Sequence, residues 1–367
     1  MNIPVPPKQS DPKERAAFGE RIAPASLVTL WDHLKEIVPP QPRVSSVPNL
    51  WRYEELRRLI MEAGAIVSAE EADRRVLVLE NPGLKGRKSI TETLFAGFQL
   101  VLPGEIAPAH RHTASAIRFI LEGHGGYTSV EGEKCFMEPG DFIITPGWTW
   151  HDHGNETDAP VIWLDGLDLA LMQSLGPHFS EGYGEKRFPE GPPPGDSEAR
   201  WGKMLRPVNA ERGAGLNSPV MRYPYAETRE ALEQLSKSGD WDPYMGLKME
   251  YTDPTTGGPA MPTMSTFIQL MPAGFKTERY RTTEAAVYTA IEGSGKVTVW
   301  QTTGTGMGTG AGEAMTMEWG PRDIFVIPCW HPHLFEVDDG ADAVLFSFSD
   351  KVVQQKLGIW KDQRGNA

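Results

Sequence analysis

Blocks of this chain occur twice. Gln99-Leu100-Val101-Leu102-Pro103-Gly104 returns as Gln269-Leu270-Met271-Pro272-Ala273-Gly274, and Glu122-Gly123-His124-Gly125 returns as Glu292-Gly293-Ser294-Gly295, both 170 residues later. Asp141-Phe142-Ile143-Ile144-Thr145-Pro146 returns as Asp323-Ile324-Phe325-Val326-Ile327-Pro328 at an offset of 182. The difference falls in the Gly/Thr-rich stretch 302–312, which reads as a flexible hairpin loop. It lacks the glycine spacing and strand-to-helix setting of a nucleotide-binding loop. A chain of 367 residues with such a repeat predicts two domains built alike.

The first copy carries a histidine constellation that the second lacks. Gly104 is followed by His110 and His112, and Gly140 by Pro146, Trp148, His151 and Asn155. Strand side chains alternate faces, so His110 and His112 point the same way. His151, from a later strand, can close a facial set of three imidazoles, ligands that suit Fe, Zn, Cu and Ni. This two-part spacing resembles the motif of the cupin superfamily, a small metal-holding β-barrel. The metal-binding pattern has a Glu four residues after the second His, and here that residue is Ala116. The expectation is three histidines and no carboxylate. In the second copy Tyr280 and Thr282 replace the pair and only His333 remains, so that barrel is expected to be metal-free and structural, with Tyr280, His331 and His333 in structural roles.

The fold expected is mainly β: a bicupin, two double-stranded β-helix (jelly-roll) barrels with an N-terminal helical arm. The divisions expected are an arm over 1–70, a metal-binding barrel over 71–185, a linker with a short helix over 186–240, and a metal-free barrel with a closing helix over 241–367. Apolar spacing predicts helix within 13–38, 51–65, 228–237 and 351–361. A strand is expected at Arg75–Leu79, and PEGPPPG (189–195) reads as a stiff linker.

Net charge narrows the partners. At −13, with a pI near 5.2, the chain offers no basic face for nucleic acid and no attraction to an anionic membrane. An anionic substrate must be drawn by local positive charge. Cys135 and Cys329 make no disulfide framework. The polar, proline-rich start lacks a signal-peptide core, and no run of about 18 apolar residues is present. A cytoplasmic protein is expected.

Longer stretches are more specific. RRVLVLENPGL (74–84), LFAGFQLVLPGEIAPAHRH (94–112), IRFILEG (117–123), GDFIITPGWTWHDHGN (140–155), VIWLDGLDL (161–169), TDPTTGG (252–258) and VLFSFSD (344–350) resemble the gentisate 1,2-dioxygenases and their salicylate- and 1-hydroxy-2-naphthoate-cleaving relatives. The resemblance implies one Fe(II) per chain on His110, His112 and His151. It implies cleavage, with O2, between the carboxyl-bearing and adjacent hydroxyl-bearing ring carbons, giving maleylpyruvate from gentisate. It also implies a homo-oligomer, a tetramer or a dimer with the tetramer favoured, and the N-terminal helices are candidate interface elements. Three neutral imidazoles leave the ion its full double charge, which matches a chelating carboxylate and phenolate better than a neutral sugar. The alternatives are a salicylate, substituted salicylate or 1-hydroxy-2-naphthoate dioxygenase. From another class, a cupin isomerase, decarboxylase or binding module is disfavoured by the missing Glu, the inward Arg118 and the His151/His153 doublet.

The supporting residues follow from strand parity. His153 shares the face of His151 and is a candidate acid/base. Arg118 shares parity with Ala116 and so projects inward, where a substrate carboxylate is its natural partner and an ion pair with Asp165 the structural alternative. Asp165 is a candidate orienting group for His153 or Arg118. Gln99 is placed to bond a ring hydroxyl, although Gln269 repeats it in the metal-poor half, and Phe95 is placed to wall the ring. One of Arg74 and Arg75 is expected to reach over the barrel mouth to a carboxylate. Trp148 and Trp150 read as core and rim packing.

Overall fold

The computed structural model describes residues 9–209, 215–302 and 311–365. The central part of the expected hairpin loop, 303–310, lies outside the described residues. The chain divides into two units, one ending at Arg43 and one beginning at Val44. In the first, the helix Pro12–Ile22 starts at Asp11, whose carboxylate accepts the Lys13 amide at 2.9 Å. A 3-10 turn at Ala23–Ala25 leads to the helix Leu30–Ile37. Arg15 pairs with Asp32, and Phe18 stacks on Trp31 at 6.3 Å.

Among the described residues the second unit holds four antiparallel sheets. One six-stranded sheet runs Arg222–Tyr223, Phe142–Thr145, Ala116–Glu122, Val161–Leu167, Phe95–Val101, Val76–Val78. The other runs Asn49–Trp51, Ile324–Ile327, Ala286–Glu292, Ala343–Ser349, Ser265–Met271, Leu247–Glu250, the same order in the other half. A five-stranded sheet completes each barrel. The first contains Ile106–His112 and His151–Asn155, the second Tyr280–Thr282 and His333–Val337. The bicupin expected from the repeat is the fold observed.

The inner strands of the six-stranded sheets are buried on both faces, which is why they read as largely apolar runs. Arg118, Ile120, Trp163 and Gln99 sit on the faces turned into their own barrel. Ile117, Phe119, Leu164, Phe98 and Leu100 sit on the opposite faces and join Ile268, Val287, Phe346 and Phe348 in one core between the barrels. At its centre Phe119 stacks on Phe346, ring centroids 4.1 Å apart and planes within 13°. Gly166 is required here: a Cβ on it would lie 2.7 Å from the Phe348 ring.

Each half begins earlier than the repeat in the sequence suggests. The strand Asn49–Trp51, upstream of the first barrel, pairs with Ile324–Val326 of the second. Arg222–Tyr223, upstream of the second barrel, pairs with Phe142–Ile143 of the first. The segment expected as linker therefore supplies a strand to the first barrel. A helix follows each exchanged strand, Tyr53–Ile66 and Tyr225–Ser236, the latter beginning three residues before the sequence expectation. Their anchors match. Tyr53 and Arg57 hold Glu122, while Tyr225 and Arg229 hold Glu292. Asp323 accepts the Tyr53 amide at 2.8 Å, and Asp141 accepts the Tyr225 amide at 2.9 Å. The helix Tyr53–Ile66, expected within the arm, thus belongs with the barrels and buries Tyr53, Leu56 and Ile60. At the end of the chain the helix stops at Lys356 and a strand, Asp362–Arg364, follows it.

Removing Phe119 takes out the centre of the inter-barrel core. Phe119→Ala is expected to destabilise the protein by about 3–5 kcal/mol, measured by urea unfolding.

Candidate metal centre

His110 and His112 lie on the strand Ile106–His112, and His151 opens the neighbouring strand, directly opposite His110. Their donor atoms lie within 4.8 Å of one another. The ring centroids are 4.1 Å apart for His110 and His151 and 4.9 Å for His112 and His151. Two rings are fixed by backbone. His112 Nδ1–H donates to Ala114 O at 2.7 Å and His151 Nδ1–H to Thr149 O at 2.9 Å. That leaves the Nε2 lone pairs for an ion. The His151 Nε2 is buried and has no hydrogen-bond partner among the described residues. Burial, the largest influence, holds His112 down at about 4 and His151 well below the ordinary imidazole range. Both are neutral at pH 7, as a ligand must be. The residues fit a metal ion.

The three imidazoles open onto a cavity of about 250 Å³, lined also by Arg74, Phe95, Gln99, Arg118, His153 and Asp165. The structure thus brings together every residue singled out from sequence except Arg75. That expectation is corrected for Arg75: its guanidinium is buried, turned to Glu105, and bound to both of its carboxylate oxygens. Both arginines precede the strand Val76–Val78, and one of the two reaches the mouth. Arg74 does: it donates to Pro108 O at 2.7 Å and lies against the His110 ring. Burial and the nearby Arg118 lower its pKa to about 10, so it stays charged. It also lines an outer opening of about 500 Å³ with Glu70, Asp73, Glu181 and Lys186, and so stands between solvent and the ligands.

Arg118 is 3% exposed. Its Nη1 donates to Thr145 Oγ1 and its Nη2 donates to His153 Nε2 at 3.2 Å. Because arginine can only donate, Nε2 is the acceptor nitrogen of a neutral His153, and Nδ1–H donates to Thr128 Oγ1 at 2.9 Å. Burial and then Arg118 keep the His153 pKa well below its usual value. Asp165 accepts Trp163 Nε1–H at 2.8 Å and stands 3.7 Å from Arg118 Nε, facing it across the strand pair. Among the described residues it makes no hydrogen bond to His153; Thr128 orients that ring. Burial raises Asp165 to about 6 against the pull of Arg118. Gln99 Nε2 is buried with no partner among the described residues, whereas its counterpart Gln269 donates to Met245 O at 2.8 Å. The repeated glutamine is thus committed to structure in one half only.

Thr128, Thr145, Val76, Leu167 and Leu169 were not singled out from sequence. Parity offered a signal for Leu167, which continues the inward series Trp163, Asp165. The threonines carried none. Trp148 and Trp150 form a rim in which Arg111 lies over both rings, at 4.3 and 4.5 Å. In the second barrel Tyr280 packs on His333 at 4.3 Å.

Comparison with known proteins now bears on this site. The family model for a cupin domain matches residues 97–167. Gentisate 1,2 dioxygenase 1 of Aquipseudomonas alcaligenes is 48% identical over 96% of this chain and 97% of its own. The 5-aminosalicylate 1,2-dioxygenase of a Comamonas species is 38% identical over 95% of this chain and 89% of its own. Among solved structures, salicylate 1,2-dioxygenase of Pseudoaminobacter salicylatoxidans, in adducts with gentisate, superposes with a TM-score of 0.86 at 32% identity, covering 98% of this chain and 95% of that one. The chain belongs to the gentisate 1,2-dioxygenase family of bicupin ring-cleaving dioxygenases. No helix among the described residues is long and apolar enough to cross a membrane.

Two outcomes follow. His151→Ala is expected to abolish stoichiometric metal uptake, measured by elemental analysis after loading and desalting, while far-UV circular dichroism is retained. His333, buried and held at about 4, stays neutral in the folded chain while the unfolded chain protonates near 6.5. The unfolded state therefore binds more protons between those values, and stability falls as pH drops through that window. His333→Phe is expected to flatten the stability–pH slope between pH 6.5 and 4 in urea titrations.

Proposed function

We propose that this enzyme cleaves the ring of gentisate with O2, between the carboxyl- and hydroxyl-bearing carbons, to give maleylpyruvate. The observation that carries this reading is a buried Arg118 beside His153, paired with Asp165 only at 3.7 Å, in the cavity onto which three imidazoles open. A guanidinium 3% exposed calls for an anionic partner. Thr145 and His153 are neutral, Asp165 lies beyond hydrogen-bond distance, and Arg118 Nε has no hydrogen-bond partner among the described residues. A substrate carboxylate fits that need.

His110, His112 and His151 would hold ferrous iron, one per chain, which when bound supplies the redox chemistry between ring and dioxygen. The remaining work belongs to the chain. Arg118 anchors the carboxylate, and Arg74 draws the anion in from the outer opening despite the acidic residues there. When the carboxylate takes Arg118, the Nε2 lone pair of His153 is released to accept the phenolic proton, with Thr128 holding Nδ1. The free Gln99 amide donates to a ring hydroxyl, and Phe95 walls the ring. Asp165 keeps Arg118 aimed across the cavity. At 3.7 Å it leaves the hydrogen-bonding positions of the guanidinium open to the substrate.

We further propose a metal-binding barrel built on 71–185 and a metal-free one built on 241–367, each completed by the exchanged strand described above, in a cytoplasmic homo-oligomer, a tetramer by family resemblance. Exposed Val28, Leu30, Trp31 and Ile37 on the N-terminal unit support the assembly.

Dioxygen uptake by iron-loaded protein with gentisate, matched one-to-one with ring-opened product, tests the reading; no uptake with ferrous iron bound would sink it. His153→Ala is expected to lower kcat by about 10²–10⁴-fold with iron retained. Arg118→Gln is expected to lower kcat/KM by about ten- to a hundredfold, for loss of a charged hydrogen bond.

A further inference from the structure

The metal-poor barrel reaches the cavity of the other through a reciprocal pair of hydrogen bonds. Thr263, just before the strand Ser265–Met271 of the second barrel, donates through Oγ1 to Asp168 Oδ2 of the first half. Thr93, its counterpart in the first half, donates to Asp350 Oδ2 of the second at 2.8 Å. Each carboxylate also accepts a backbone amide of its own half, Ser115 for Asp168 at 2.8 Å and Ala285 for Asp350 at 3.0 Å. The two bonds are related by the symmetry that relates the barrels.

Their consequences are not symmetric, because only one half has the ligands and the cavity. Asp168 lies between Leu167 and Leu169, both of which line that cavity. Thr93 lies two residues before Phe95, which also lines it, and the Thr93 carbonyl accepts the Leu171 amide at 3.1 Å. The Ser115 amide gripped by Asp168 belongs to the turn whose Ala114 carbonyl fixes His112 Nδ1. Both ends of the pair therefore converge on one corner of the first barrel, and both are held there by residues of the second. Asp168 and Asp350 are buried, 1% and 5% exposed, so water does not compete for these bonds.

We infer that Thr263 and Asp350 are positioning residues that set the apolar wall of the first barrel's cavity, and with it the choice among aromatic carboxylic acids of one and two rings. The inference rests on the functional reading above for the substrate class. A small movement of this corner shifts Phe95, Leu167 and Leu169 together, and pocket walls discriminate ring size by just such apolar contact.

The test compares Thr263→Val, which keeps the shape and removes the donor, and Asp350→Asn, which keeps the shape and removes the charge. Affinities for gentisate, salicylate and 1-hydroxy-2-naphthoate are measured on anaerobic iron-loaded protein by calorimetry, alongside kcat and KM. The two-ring to one-ring affinity ratio is expected to move by about five- to tenfold in both variants, with iron content unchanged and the change lying mainly in KM. Arg52→Gln serves as control. It removes a 2.8 Å bond from Arg52 to Asp323 of the second barrel, neither residue lining the cavity, and is expected to lower stability without moving the ratio. Thr263→Ser keeps the hydroxyl and is expected to match the wild type. A ratio unchanged within about twofold in the folded variants, or shifted equally by Arg52→Gln, overturns the inference. If Thr263→Val does not fold, Asp350→Asn reads the same ratio. If the wild type consumes no dioxygen with any of these acids, the functional reading fails, while the binding ratio still decides the positioning role.

Discussion

Everything in this fold depends on two sheets being buried on both faces. Phe119 lies flat on Phe346 between the barrels, and around this pair the outward residues of both six-stranded sheets form one apolar layer. The inward faces are thereby freed from holding the halves together. The first barrel can carry an arginine, an aspartate and four histidines inside because its strands are secured from behind. In an isolated barrel the same residues would have to share that space with a stabilising core. The floor of the first barrel shows the compromise: Ile120, Ile143, Val161 and Trp163 pack together on the inward side, while the polar residues sit on the same strands toward the cavity.

The electrostatics follow from that burial. Desolvation keeps the imidazoles neutral and raises Asp165 to about 6, while two arginines, Arg118 and Arg74, face that single carboxylate at the cavity. The local field is positive inside a chain of net charge −13. Attraction of an aromatic carboxylate is a property of the cavity, set against the global field. The arrangement also explains why His153 is held by a threonine rather than by Asp165. A carboxylate on Nδ1 would raise the basicity of a ring that here must stay neutral beside Arg118.

Much of this was legible in the sequence where a rule of spacing applied. The HxH pair and the His151/His153 doublet depend only on strand period. Arg118 and Asp165 follow from parity with Ala116 and Trp163, and the barrels from the repeat. What escaped depends on long-range partners. Arg75 looked equivalent to Arg74 until Glu105 claimed it. Thr128 and Thr145 gave no signal, because a hydroxyl facing a barrel interior is common and its partner lies on another strand. The role of 222–223 was hidden in an assumed linker, since two residues of strand carry no periodicity. The match of Tyr53, Arg57 and Glu122 to Tyr225, Arg229 and Glu292 involves few identities and appears only when the partners are seen together.

The exchanged strands carry a consequence for how such a protein came to be. Asn49–Trp51 completes the far barrel and Arg222–Tyr223 completes the near one, so neither half can close alone. This is the geometry of two identical subunits that trade their leading strands about a two-fold axis, written into one polypeptide. In a dimer of identical chains, losing a histidine empties both sites at once. Joined in tandem, the copies became free to diverge: one could give up His110 and His112 for Tyr280 and Thr282 while its sister kept the chemistry. A division of labour between two barrels is open to such a fused chain and closed to a dimer of identical ones.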